Sequence, residues 1–117
     1  MLINTPISLG ELVDKISILI IKEKNITDET KLDHVKKELD FLQKTLMNYV
    51  QQEEINTYLE NLININSKLW NIEDDIRECE RKKLFDQSFI DLARSVYFTN
   101  DERAKVKNDI NKTFGSE

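Results

Sequence analysis

Glycine, proline, cysteine and histidine are nearly missing from this sequence, with two, one, one and one respectively among 117 residues. So few breakers leave no room for a glycine-rich phosphate loop, for β-hairpin turns or for a flexible linker. The lone thiol, Cys79, has no second cysteine to pair with and reads as a small hydrophobe rather than a reactive group. His34 has no cysteine or second histidine at ligand spacing, which argues against zinc and against a serine-type triad and leaves a surface helix residue. Ser88 and Ser95 likewise have no base or oxyanion loop beside them. Positive charge is not in excess either: charged residues are 33% of the chain, mixed in sign, and the net charge is −5. No global positive field exists to collect phosphates, so nucleic acid is not an expected partner. Long apolar runs are missing too. Ile16–Ile21 falls far short of the ~20 residues that cross a bilayer, and no N-terminal apolar region with a cleavage site is seen. The expectation is a cytoplasmic protein without membrane insertion.

What the sequence does have is helical periodicity. Ile55, Tyr58, Leu62, Ile65, Leu69, Ile72, Ile76 and Cys79 alternate steps of three and four, and Leu32, Val35, Leu39, Leu42, Leu46 and Tyr49 do so before them. Each run places its apolar side chains on one stripe of a helix facing a partner. Ser8 followed by Glu11 forms a capping-box pair that opens an earlier helix. Leu9, Leu12, Val13, Ile16, Leu19 and Ile20 give that helix an apolar face, which Ile18 and Ile21 extend around its circumference, so it requires cover on more than one side. Thr27 or Asp28 caps the second helix and Asp86 the fourth. Near the C-terminus, Phe89, Leu92 and Val96 continue to Val106 and Ile110, but Thr99 and Arg103 occupy the stripe between them. Either the helix breaks at Thr99–Asn100, with Thr99 and Glu102 as a new capping box, or one long helix carries a polar notch.

These patterns predict a single all-α domain over residues 1–117, a small bundle of four to five helices at about 9–24, 28–50, 54–84, 87–98 and 100–114, the last two either separate or continuous. Its core is expected to be a long antiparallel hairpin of the second and third helices. At this length roughly two-thirds of the unfolded surface is buried, so no metal or disulfide is required for folding.

Chemistry-bearing residues are sparse. The third helix carries a second ribbon, Leu59, Ile63, Asn66, Trp70, Glu73, Arg77 and Glu80, that changes from apolar to charged. The last segment offers a matching one, Ala93, Tyr97, Asn100, Ala104, Lys107, Asn111 and Phe114. If the two ribbons face each other, Glu73, Arg77, Glu80, Tyr97, Asn100, Arg103 and Lys107 line a pocket. Arg77, Arg103 and Lys107 would then receive an anionic metabolite such as a nucleotide or nucleotide-sugar, Tyr97 and Asn100 would hydrogen-bond it, and Glu73 would serve as base. The plainer alternative is that these acids and bases pair across the interface, with Arg77 held between Glu73 and Glu80. Mg²⁺-dependent nucleotide hydrolysis needs carboxylate pairs on neighbouring helices. Glu11 and Asp14 have that spacing, but Glu73, Asp74 and Asp75 are consecutive and point in three directions. No metal or cofactor is therefore expected. Phe41 falls off the stripe of the second helix and, with Phe98, is a candidate for a contact surface.

The stretches L-W-N-I-E-D-D-I-R-E-C-E from Leu69, F-I-D-L-A-R-S-V-Y-F-T-N-D-E-R-A from Phe89, K-N-D-I-N from Lys107 and the opening I-S-L-G-E-L-V-D-K-I-S-I-L resemble a bacterial and phage family catalogued as a domain of unknown function. The resemblance covers most of the chain and implies a small helical protein, in some members near sugar-transfer or surface-polysaccharide functions, but no activity. It also implies a short acidic and aromatic tail after Glu117. Without a reaction-specific constellation, the leading expectation is a non-enzymatic interaction or adaptor module, a homodimer in contact through its first helix.

Overall fold

The computed structural model describes residues 1–116, which form four helices: α1 (Leu9–Asn25), α2 (Glu29–Leu46), α3 (Gln52–Lys82) and α4 (Gln87–Thr113). Among the described residues there is no strand, and no helix is long and apolar enough to cross a membrane. The radius of gyration is 16.1 Å, against about 13 Å for a compact chain of this length. The elongation comes from α3, whose 31 residues span about 46 Å and match the longest dimension of the molecule, 48 Å.

Side chains that satisfy orphan backbone groups set the helix ends. Asp28 accepts from the amides of Thr30 and Lys31, and Asp86 from those of Ser88 and Phe89. The Ser8 hydroxyl accepts from the Glu11 amide at 3.2 Å. Glu11 itself does not complete the capping box, because its carboxylate is drawn to Lys107 on α4. Helix α3 stops at Lys83, which takes the left-handed conformation (φ 53°) usually given to glycine, while the Leu84 amide reaches back to the Cys79 carbonyl at 2.9 Å. Helix α4 runs through Thr99–Asn100 without a break, so the interrupted stripe is a polar notch in one long helix.

The packing order differs from the hairpin of second and third helices that the heptads suggested. Helix α1 is the centre and packs against all three others; α2 packs against α1, and the long antiparallel hairpin is made by α3 with α4. Tyr58 near the start of α3 meets Thr113 and Phe114 at the end of α4, and Lys68 meets Glu102 further along, as antiparallel order requires. A heptad stripe demands a partner without naming it. Helix α1 is the more apolar claimant, and its Val13, Ile16, Leu19 and Ile21 are buried within one chain while Ile18 and Ile20 are half-buried. Most of its apolar surface is therefore covered within one chain, and only the half-buried Ile18 and Ile20 keep apolar area in reach of solvent.

Both heptad seams are nonetheless the buried faces. Val35, Leu39 and Leu46 of α2 and Ile55, Leu62, Ile65 and Leu69 of α3 join Leu12, Val13, Ile16, Leu19 and Ile110 in the core. Burial stops at Leu69 on α3, and Thr99 is the first buried residue on α4. The distal half of the hairpin keeps Ile72, Ile76, Cys79, Leu92 and Val96 only half-covered, and Leu84, Phe85, Ile90, Tyr97 and Phe98 are exposed.

Candidate functional site

The polar notch of α4 faces α1. Asp14, 1% exposed, accepts a two-pronged bond from the Arg103 guanidinium, with Nε to Oδ1 at 2.9 Å and Nη2 to Oδ2. Asn66 of α3 completes the group, donating from Nδ2 to Asp14 Oδ1 at 3.0 Å and to Ser17 Oγ at 2.8 Å. The Ser17 hydroxyl donates its own proton to the Asp14 carbonyl at 2.6 Å. Three helices are thus tied through one carboxylate. Burial alone would push the Asp14 carboxyl up, but the hydrogen bonds from Arg103 and Asn66 and the charges of Arg103 and Lys107 outweigh it and hold the group below the usual carboxylate range.

One turn toward the N-terminus of α1, Lys107 pairs with Glu11 at 2.5 Å, and Asn111 Oδ1 accepts the Gly10 amide at 2.7 Å. The Leu9 amide donates to Ser116 Oγ at 2.8 Å, so the end of α4 caps the beginning of α1. Gly10 is required here by proximity. A Cβ at this position would lie 2.5 Å from the Lys107 carbonyl oxygen, a contact that only movement of the backbone relieves.

Between α1 and α3, above this network, lies an open cleft of about 200 Å³. Asn66 and Arg103 form its polar base, Ile18, Ile21, Leu69 and Trp70 its apolar wall, and Lys22 and Glu73 its charged rim. Neither Lys22 nor Glu73 forms an ion pair among the described residues.

Of the seven residues expected to share a pocket between the third and fourth helices, two line this cleft, Glu73 and Arg103. Arg77 is exposed and pairs with Asp74 at 2.7 Å rather than with Glu73 and Glu80. Glu80 is exposed, and Tyr97 is 66% exposed with its ring edge-on to Phe98. Asn100 is exposed and makes a long 3.5 Å contact with Arg103. Lys107 is held by Glu11 one turn away from Arg103. Of the α4 ribbon, Lys107 and Asn111 meet α1 while Phe114 packs on Tyr58 of α3, and the antiparallel register that sets Tyr58 beside Phe114 and Lys68 beside Glu102 puts Arg77 and Lys107 at different levels of the hairpin.

Asp14 and Ser17 were the residues that the ribbon argument missed. The signal was in the first helix: Gly10, Asp14 and Ser17 stand at steps of four and three, small and polar residues on one side of a helix whose neighbours there are apolar. Among the described residues no group of three or more histidine, cysteine, aspartate or glutamate side chains is placed to hold a metal ion. Neither the curated proteins nor the solved structures contain a match to this chain. A family model does match, over residues 3–116, and the chain accordingly belongs to the family of unknown function DUF6165.

Proposed function

We propose that this protein is a non-enzymatic interaction module whose working surface is the outer face of α4, and that a second copy of the chain is what this face receives. The observation that carries the reading is the order of residues along that face. Ile90, Arg94, Tyr97, Phe98, Asp101 and Lys105 share one side of the helix, and all of them are exposed. Ile90, Tyr97 and Phe98 are 47%, 66% and 53% exposed, an apolar concentration that a solitary surface helix does not need.

The face is self-complementary. Laid antiparallel against its own copy about a two-fold axis between Tyr97 and Phe98, α4 sets Arg94 opposite Asp101 twice, the aromatic pair opposite itself, and Ile90 opposite the aliphatic stem of Lys105. Arg94 is already poised over the Phe98 ring at 5.8 Å, and Asp101 has no ion-pair partner among the described residues. The reading of a nucleotide-like anionic ligand has less support, since Arg103 is committed to Asp14 and Lys107 to Glu11.

Sedimentation equilibrium tests the proposal. The wild type is expected to dimerise, Arg94→Asp and Asp101→Arg each to be monomeric, and a 1:1 mixture of the two to form a heterodimer in which both charge pairs are restored. Wild type that stays monomeric at ~100 μM, or single variants that dimerise as the wild type does, would overturn it.

A further inference from the structure

The cleft between α1 and α3 has a chemistry of its own. The orientation of the Asn66 amide is fixed by its neighbours: the Asp14 carboxylate only accepts, and the Ser17 hydroxyl has spent its proton on the Asp14 carbonyl, so both require the NH₂ end. The carbonyl Oδ1 therefore points the other way. It accepts no hydrogen bond from the described residues, yet it is not a sealed orphan, which places it on the solvent-accessible base of the cleft that Asn66 lines. Above it stand one cation, Lys22, and one anion, Glu73, more than 4 Å apart and each without a partner. The remaining wall is the Trp70 ring with Ile18, Ile21 and Leu69.

We infer that this cleft binds a small zwitterion, a free α-amino acid with an aliphatic side chain. Its ammonium group is accepted by Asn66 Oδ1 and the Glu73 carboxylate, its carboxylate is met by the Lys22 ammonium, and its side chain lies against Trp70. The charge arrangement selects this class. At about 200 Å³ the cleft is below the ~300–1,000 Å³ typical of pockets that bury drug-sized ligands, which suits a small molecule. Arg103 is neutralised by Asp14 and Lys22 is balanced by Glu73, so a ligand carrying both signs leaves no net charge in the cleft, whereas a simple anion leaves Glu73 and Asn66 Oδ1 facing it.

Calorimetric titration of the full chain with L-leucine and L-isoleucine tests this, alongside two leucine analogues that each lack one charge: leucinamide, without the carboxylate, and 4-methylpentanoate, without the ammonium. At least one of the two amino acids is expected to bind saturably, and both analogues to bind about tenfold more weakly or worse, the loss of a single charge-assisted contact. Lys22→Met should remove the preference for leucine over leucinamide, and Glu73→Gln the preference over 4-methylpentanoate. Both changes are on the rim and leave the Asp14 network intact, so lost binding with an unchanged circular-dichroism melt is attributable to the cleft. Absence of saturable binding of either amino acid at 10 mM, analogues that bind as well as leucine, or variants that retain both preferences would each overturn the assignment.

Discussion

Deleting the Asp14 side chain should be among the most damaging single changes available in this protein, and the structure supplies the magnitude. Asp14→Ala leaves the Arg103 guanidinium without its carboxylate and takes from Asn66 one of its two acceptors. Breaking a fully buried ion pair costs about 3–5 kcal/mol. Asp14 is sealed, but the Arg103 side chain retains 27% of its exposure and can recruit water, which points to the lower end, about 3 kcal/mol. With about 2.1 cal/mol/K of unfolding entropy per residue, such a loss lowers Tm by about 12 °C. Urea denaturation followed by circular dichroism should register it as a fall in midpoint at constant slope.

The origin of the loss is tested by a double-mutant cycle. Asp14→Leu with Arg103→Met removes both charges together and should recover all but about 1 kcal/mol, giving a coupling energy of about 2 kcal/mol or more. Additive losses would refute the reasoning, since they would mean that each side chain acts through packing alone. Proton linkage gives a second check. The folded carboxyl titrates below its unfolded value, so its contribution is complete above about pH 4 and is lost as pH falls through the folded pKa. The stability gap between wild type and Asp14→Asn should therefore hold from pH 7 to about 5 and narrow below about 4; a gap that widens in acid would contradict the assignment.

Two backbone positions yield further expectations. Gly10→Ala, which would improve an ordinary helix by up to about 1 kcal/mol, should here destabilise by about 2 kcal/mol, because the new methyl drives the Lys107 carbonyl and hence α4 away; an unchanged or raised urea midpoint would refute the close approach. Lys83→Gly should stabilise by about 0.5–1 kcal/mol by relieving the left-handed strain at the end of α3, and a lower Tm for this variant would mean that the lysine side chain matters more than its backbone.

The helices were legible in the sequence because each rests on a local rule. Asp28 and Asp86 cap where short polar side chains precede apolar periodicity, and the Leu62–Ile65–Leu69 stripe is buried because its period matches the helix. Which stripe meets which was not legible. Amphipathicity is a property of one helix and pairing is a competition among several, won here by α1 because isoleucines on nearly every side give it the most surface to hide. The site divided in the same way. Arg103 stood out as a charge in an apolar stripe, and Asn66 and Glu73 on their ribbon, whereas Arg77, Glu80 and Tyr97 were grouped with them on the assumption that α4 turns its polar residues to α3. Asp14 is marked in the sequence only by sharing a side of the helix with Gly10 and Ser17, and its importance comes from burial that the central position of α1 creates.

That central position also explains why so costly a polar group sits in the middle of the bundle. Helix α1 presents apolar side chains in several directions, so hydrophobic burial alone would tolerate rotation or sliding of α1 between its neighbours. One carboxylate fixed by α4 through Arg103 and by α3 through Asn66 removes that freedom, since a shift of one turn would strand Asp14 among apolar residues at a penalty of several kcal/mol. Gly10 enforces the same register sterically, because α1 and α4 approach closely only where the Lys107 carbonyl finds no Cβ. With α1 locked against the inner face of α4, the outer face that carries Ile90, Tyr97 and Phe98 is held outward, and Lys22 is set across the cleft from Glu73. The register network is thus the common support of both proposed surfaces. Loss of Asp14 should weaken dimerisation and amino-acid binding together, whereas Arg94→Asp and Glu73→Gln should each affect one and spare the other.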